Sequence, residues 1–143
     1  MLSVDFNKRT ACPWNQKKVD KVFRSIAQLT GKAGAVELNI VGDKEIKELN
    51  FHYRGLNKPT DVLSFAWQED AVIKTSYFGQ IYISYPYIVR QAKRLKIKPV
   101  EEFVRMLAHG FLHIIGHDHG KKKEAVVMFE IQESIVDDYF SKI

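Results

Sequence analysis

Four of the five histidines in this chain fall within residues 109–119, and their spacing suits a metal ion. His109 and His113 are four residues apart, which places their imidazoles on one face of a helix, with Cβ atoms about 5–6 Å apart. Gly116 predicts the end of that helix, because glycine readily adopts the left-handed conformation found at helix ends. The chain can then turn back and bring His119 to the same ion. We therefore predict a metal site on these three histidines.

Three neutral imidazoles would leave one coordination position open, which is typical of catalytic rather than structural zinc. A cation there lowers the pKa of bound water to about 7, or polarises a substrate oxygen. The spacing also matches the template H-E-x-x-H-x-x-G-x-x-H of zinc peptidases, but Gly110 occupies the position of the glutamate. Because that glutamate is their general base, the pattern predicts a metal site without the peptidase base. A cluster of histidines that serves only packing is the alternative.

Two neighbours of the third histidine need an interpretation of their own. Asp118 could accept a hydrogen bond that orients a histidine ring, or it could cap a turn, and the sequence favours neither. His117 is interpreted as a loop residue, because it follows the helix end and a fourth histidine would close the site.

Hydrophobic periodicity predicts the elements that must position these residues. Apolar residues in alternation or in short runs predict four strands, at residues 2–6, 36–41 and 61–66 and around Ile81 and Ile83. Helical spacing predicts helices over residues 15–30, 44–53, 86–95 and 122–140, and a buried helix that begins at Pro99 and carries the histidines. Residues 67–76 are polar and predict a flexible loop.

The order of these elements predicts an α+β fold, with residues 1–143 forming a single domain. The first two strands are joined by a helix and should therefore pair in parallel. We expect a four-stranded mixed sheet packed by about five helices, with the metal-binding helix at the cleft.

Composition narrows the class of protein and its compartment. The net charge of +5 and the pI near 9.3 fit an anionic partner such as RNA. The single cysteine, Cys12, excludes an internal disulfide and indicates a reducing compartment. The sequence contains neither a signal peptide nor an apolar run of the ~20 residues that a membrane span needs. We predict a cytoplasmic protein with no membrane contact.

A second stretch whose residues could take part in chemistry lies at residues 53–65. Arg54 and Gly55 predict the end of a helix, and the following turn feeds a strand, which places Arg54, Lys58 and Thr60 at the rim of the sheet. Arginine suits phosphate, because its planar guanidinium donates two parallel hydrogen bonds. An arginine that only satisfies carbonyl groups at the helix end is the alternative.

The two stretches together resemble the YbeY family of bacterial metal-dependent endoribonucleases, which cleave single-stranded RNA in rRNA maturation. The resemblance rests on H-G-x-L-H-x-x-G-x-D-H at residues 109–119 and Y-R-G-x-x-K-P-T-D-V-L-S-F at residues 53–65, and it extends to M-F-x-x-Q-E at residues 128–133. It implies one zinc ion per chain, on His109, His113 and His119, and a catalytic arginine at Arg54. It also implies a role in 16S rRNA 3′-end maturation and ribosome quality control, with the ribosome or its small subunit as partner.

The chain departs from the family pattern at Gln80, where an acidic residue usually follows the glycine. If that acid supports the cleft, its loss makes the cleft more positive. Two other functions stay open: a zinc peptidase-like hydrolase, disfavoured by Gly110, and a ribosome-associated protein with a structural metal. The nucleophile also stays open, between water and the ribose 2′-hydroxyl.

Overall fold

The computed structural model describes residues 2–67 and 77–142 of the chain. Within these ranges the elements follow one another as predicted. They are β1 (Leu2–Lys8), α1 (Gln16–Thr30), β2 (Gly34–Val41), α2 (Asp43–Arg54), β3 (Val62–Ala66), β4 (Tyr77–Ser84), α3 (Tyr85–Leu95), α4 (Pro99–Ile114) and α5 (Lys122–Ser141). The predicted α+β class is confirmed. The loop predicted at residues 67–76 lies, except for Trp67, outside the described residues.

The four strands form one mixed sheet in the order β1-β2-β4-β3. β1 pairs with β2 in parallel, as predicted, and β2 pairs with β4 in parallel. β3 runs antiparallel to β4 at the edge of the sheet. The segment that follows α2 therefore leads into an edge strand, which leaves one side of β3 available to form a cleft.

The main hydrophobic core lies between the sheet and helices α1, α4 and α5. Phe23 of α1 meets Phe111 of α4 edge-on, with ring centroids 6.1 Å apart, and both side chains are fully buried. Met128 of α5 is 1% exposed and packs in the same core. On the opposite face of the sheet, α2 covers a small cluster of Val41, Ile46 and Leu63. The histidine helix α4 is therefore held on the better-packed face.

Gly110 of α4 lies close to the sheet. A Cβ atom at this position would lie 3.0 Å from Ser64 Oγ, 3.2 Å from Val62 Cγ2 and 3.3 Å from Ile81 Cγ2. These distances are shorter than ordinary van der Waals contacts, so a side chain at this position would require the neighbouring side chains or the helix to shift. The glutamate of the peptidase template would fit here only after such a shift.

Two glycines end the helices that carry the chemically important side chains. α2 ends at Arg54, and Gly55 adopts a left-handed conformation with φ of +72° while its N–H bonds to the carbonyl of Phe51. α4 ends at Ile114, and Gly116 has φ of +103°. Both glycines were predicted to mark helix ends, because residues with a Cβ rarely adopt such φ values.

Cys12 is a free, half-buried thiol. Among the helices of residues 2–67 and 77–142, none combines the length and the apolar character that crossing a membrane requires.

Candidate metal centre

The structure brings the three predicted ligands together at the end of α4. One ring nitrogen from each of His109, His113 and His119 lies within 4.8 Å of the other two. The ring centroids of His109 and His113 are 4.7 Å apart, and that of His119 lies 4.9 Å from His113 and 5.7 Å from His109. Zinc–nitrogen bonds are about 2.0–2.1 Å long, so a small contraction of this triad fits one ion. The triad can therefore hold a metal.

The loop after α4 delivers His119 through backbone hydrogen bonds. The N–H of Gly116 bonds to the carbonyl of His113, and the N–H of His117 bonds to that of Leu112. Asp118 Oδ1 then accepts from the N–H of Gly120 at 3.1 Å, which is the turn-capping role. His117 stays in the loop and outside the triad, as predicted.

Gln132 of α5 sets the orientation of His109. Its Oε1 lies 2.8 Å from His109 Nδ1, and its Nε2 donates to the carboxylate of Glu133 at 3.1 Å. A carboxylate only accepts hydrogen bonds, so the amide NH₂ must face Glu133 and the amide oxygen must face His109. His109 Nδ1 therefore carries the proton, and Nε2 presents its lone pair as a metal ligand.

Arg105 of α4 holds this arrangement in place. Its Nε and Nη2 donate to the two oxygens of Glu133, both at 2.9 Å. The Arg105 guanidinium lowers the pKa of Glu133, so this carboxylate is charged and remains an acceptor at neutral pH. Glu102, in the first turn of the same helix, is 2% exposed and pairs with the same arginine.

Sequence reasoning identified residues 128–133 only as a family pattern and assigned Gln132 no role. A signal was present, because Gln132 is a polar residue on the buried face of α5, together with Met128 and Ile135. Buried polar side chains need a hydrogen-bond partner, but the sequence does not say which one.

The environment of His113 keeps its imidazole neutral. Burial lowers the pKa of His113, and repulsion from His109 and His119 lowers it further. A hydrogen bond with the His117 backbone and the charge of Asp118 act in the opposite direction. Because only the neutral imidazole has a lone pair for a metal ion, the site is prepared for binding at neutral pH.

The triad opens into a cavity of about 510 Å³, which we call the cleft. The lining includes the three histidines, Arg54 and Thr60, with Asp61, Val62, Ser64, Ala66 and Ile114. Lys58, which was predicted to share the rim, is exposed but does not line the cleft. Among the described residues, none accepts a hydrogen bond from the Arg54 guanidinium, and the N–H of Gly55 reaches the helix-end carbonyl instead. Arg54 is therefore not occupied in capping α2.

Asp61 is a carboxylate in the cleft that sequence reasoning did not single out. Its Oδ1 accepts from the N–H of Val62 at 2.7 Å and from Thr60 Oγ1 at 3.3 Å, and its Oδ2 accepts from Gln91 at 3.2 Å. These donors hold the carboxylate in one orientation at the cleft wall. Asp61 lies in the cleft because β3 packs beside α4, and the sequence does not show that packing.

Gln80 lies on the face of the sheet that is turned away from the cleft. It alternates with Ile81, which faces α4, and so lies on the other face of the sheet. Its Nε2 donates to Glu37 Oε2 at 2.8 Å, and Asn39 donates to the same oxygen at 3.0 Å. An acid at position 80 would face the carboxylate of Glu37, whereas an amide bonds to it. A more positive cleft was expected only if the acid at this position supports the cleft, and in this chain Gln80 faces Glu37 on the other face of the sheet.

Fold and site define an α+β protein in which three histidines that could hold a metal ion open onto a cleft. A family model described as "Endoribonuclease YbeY" matches residues 5–140. The chain belongs to this family, and the predicted resemblance is confirmed. Members carry the name of an endoribonuclease, an enzyme that cuts RNA internally, which confirms the prediction of an enzyme acting on RNA.

Individual relatives and one solved structure agree with this assignment. A protein of Persephonella marina named endoribonuclease YbeY is 40% identical over 112 residues, which cover 75% of this chain and 73% of the relative. One of Brevibacillus brevis with the same name is 32% identical, over 96% of this chain and 97% of the relative. The solution structure of TM1509 from Thermotoga maritima superimposes with a TM-score of 0.69 at 26% identity, over 97% and 90% of the two chains.

Proposed function

We propose that this protein is a zinc-dependent endoribonuclease that cleaves single-stranded RNA, with residues 1–143 acting as one unit. The observation that carries the proposal is that the histidine triad lines the same open cleft as Arg54, whose guanidinium has no hydrogen-bond partner among the described residues. A phosphodiester that enters the cleft can therefore meet a metal ion and a guanidinium together.

Each residue has a distinct part in this chemistry. His109, His113 and His119 would hold the ion, which when bound supplies Lewis acidity toward water or a phosphate oxygen. Arg54 binds phosphate oxygens through its planar fork and stabilises charge that builds on phosphorus. Asp61 is held by its donors at the wall of the cleft, where it can accept a proton or a hydroxyl hydrogen bond.

The two alternative functions fit the structure less well. A zinc peptidase needs a carboxylate at position 110, where a Cβ atom would already lie 3.0–3.3 Å from side chains of β3 and β4. A purely structural zinc is typically enclosed by four protein ligands, whereas this triad is open to the cleft and His119 is exposed. Zinc is proposed because an all-imidazole set suits it.

We further propose that the substrate is rRNA, with the 3′ end of 16S rRNA as its target and a role in ribosome quality control. The small ribosomal subunit would be the partner, and the cytoplasm the compartment. Family membership supports this choice, and the net charge of +5 favours association with RNA.

The proposal is tested by incubating purified protein with end-labelled single-stranded RNA, with the matching duplex and with casein, each with and without a chelator. We expect chelator-sensitive cleavage of the single strand only. Mapping the new ends identifies the nucleophile, because attack by the 2′-hydroxyl leaves a cyclic phosphate and attack by water does not. Cleavage of casein, or RNA cleavage that resists the chelator, would overturn the proposal.

A further inference from the structure

A second cavity lies on the other side of the histidine triad. It has a volume of about 680 Å³, and we call it the apolar groove. His109 and His119 form part of its wall, and residues of α5 form most of the rest, namely Lys122, Ala125, Val126, Met128, Phe129, Glu130 and Gln132. Because His109 and His119 also line the cleft, the triad separates two cavities that open onto the same site.

Phe129 is unusually exposed for an aromatic residue beside a metal site. It is 60% exposed, and Val126, one helical turn earlier, is 51% exposed. The buried face of α5 is supplied by other residues, including Met128 and Ile135. Packing of α5 therefore does not require an aromatic ring at position 129, whose apolar surface stays in water at a free-energy cost.

We propose that the apolar groove binds the nucleobase next to the cleaved phosphodiester, by stacking on Phe129. This inference rests on the proposed function. An RNA strand with its phosphate at the triad has its neighbouring nucleosides within reach of both cavities, and the groove supplies the flat apolar surface that a base face needs. Lys122, which also lines the groove, can contact the following phosphate.

This arrangement gives a physical basis for single-strand specificity. A base in a duplex is already paired and stacked on its neighbours, so it cannot also stack on Phe129. An unpaired base makes the contact without that cost. The groove would tolerate different bases, because stacking uses the ring face rather than the hydrogen-bonding edges.

The experiment compares Phe129→Ala with Phe129→Trp on a short single-stranded RNA whose cleavage position has been mapped. A second RNA is identical except for an abasic nucleotide on one side or the other of the cleaved bond. We expect Phe129→Ala to lower kcat/KM about tenfold on the intact RNA, and Phe129→Trp to retain it. On the RNA that lacks the stacking base, wild type and Phe129→Ala should have equal kcat/KM. The base and the Phe129 ring are the two partners of one contact, so removing the second has no further effect once the first is gone.

The matched control is Val127→Ala. Val127 neighbours Val126 on α5 and is 47% exposed, but it lines a different cavity, so cleavage should not change. Metal content and melting temperature of all variants should equal those of wild type. Equal cleavage of intact RNA by wild type and Phe129→Ala would overturn the inference and indicate a groove for a protein partner. A wild-type protein that cuts no RNA would instead refute the proposed function.

Discussion

His109 presents Nε2 to the triad because its Nδ1–H is held by Gln132. The amide of Gln132 is oriented by Glu133, and Glu133 is held by two bonds from Arg105. Each hydrogen bond in this series can run in only one direction, since arginine only donates and carboxylate only accepts. The tautomer of His109 is therefore determined by residues that would not touch the ion.

Gln132→Met should weaken zinc binding by about 10–100-fold, because methionine has similar length but cannot accept the Nδ1 proton. Zinc affinity is measured by competition with a chromogenic chelator, and ¹⁵N spectra of the metal-free protein report the His109 tautomer. His113→Ala provides the reference for complete loss of the ion. Unchanged affinity and an unchanged tautomer in Gln132→Met would contradict the orienting role.

Arg54→Ala should lower the cleavage rate at least about tenfold, because removing a donor that stabilises developing charge costs a few kcal/mol. The melting temperature and metal content should not change, since no described residue accepts a hydrogen bond from this guanidinium. Lysine at position 54 should restore activity only in part, because it keeps the charge but loses the planar fork. Arg94→Ala is the control, an exposed arginine in the last turn of α3 that does not line the cleft. A metal-loaded Arg54→Ala enzyme with the wild-type rate excludes the role.

At the scale of the element, α4 works on two faces at once. One face carries His109 and His113 toward the cleft, and the other rests on β3 and β4 through Gly110. The position of the ligands relative to Arg54 and Asp61 therefore depends on how closely this helix approaches the sheet.

Gly110→Ala should destabilise the protein. Overpacking costs roughly 1–3 kcal/mol, against a gain of about 1 kcal/mol in helix propensity. Chemical denaturation measures the difference, and Ser64→Ala in the same protein should recover part of it, because it removes the nearest atom. Gly120→Ala is the control, since its added Cβ would come no closer than 3.4 Å to the neighbours found for it. A more stable Gly110→Ala protein would count against the close approach.

The ion pair between Arg105 of α4 and Glu133 of α5 should make the stability of the protein depend on pH in the acid range. The pKa of Glu133 is lowered, chiefly by the hydrogen bonds from Arg105, so its stabilising effect is complete above its ordinary pKa of 4.5 and is lost as pH falls below it. The unfolding free energy of wild type should exceed that of Glu133→Gln by a constant amount above pH 4.5, and the difference should shrink at lower pH. Denaturation with chelator present measures this. Glu130→Gln, an exposed site on the same helix, should show no such trend.

At the scale of the whole molecule, the net charge of +5 should act through RNA binding. Lysine and arginine contacts to phosphates release counterions, so the logarithm of the binding constant should fall linearly with the logarithm of salt concentration. Arg54→Ala should reduce that slope by about one, if Arg54 contacts one phosphate. A salt titration followed by fluorescence anisotropy provides the measurement. A flat slope for wild type would leave no electrostatic component to the binding.

The sequence by itself determined the features that depend on neighbours along the chain. The spacing of His109 and His113, the helix start at Pro99 and the helix ends at Gly55 and Gly116 all follow from local backbone geometry, and each agrees with the structure. The order of strands and helices also follows from local periodicity.

Only the tertiary structure decided which distant residues meet. Gln132 reaches His109 across 23 positions, Arg54 and Asp61 share a cleft with the triad, Gly110 touches β3 and β4, and Gln80 faces Glu37 on the far side of the sheet. Local periodicity shows which face of an element is apolar, but not which element covers it. That choice depends on the strand order β1-β2-β4-β3 and the packing of α4 between the sheet and α5, where burial and polar pairing must be satisfied together.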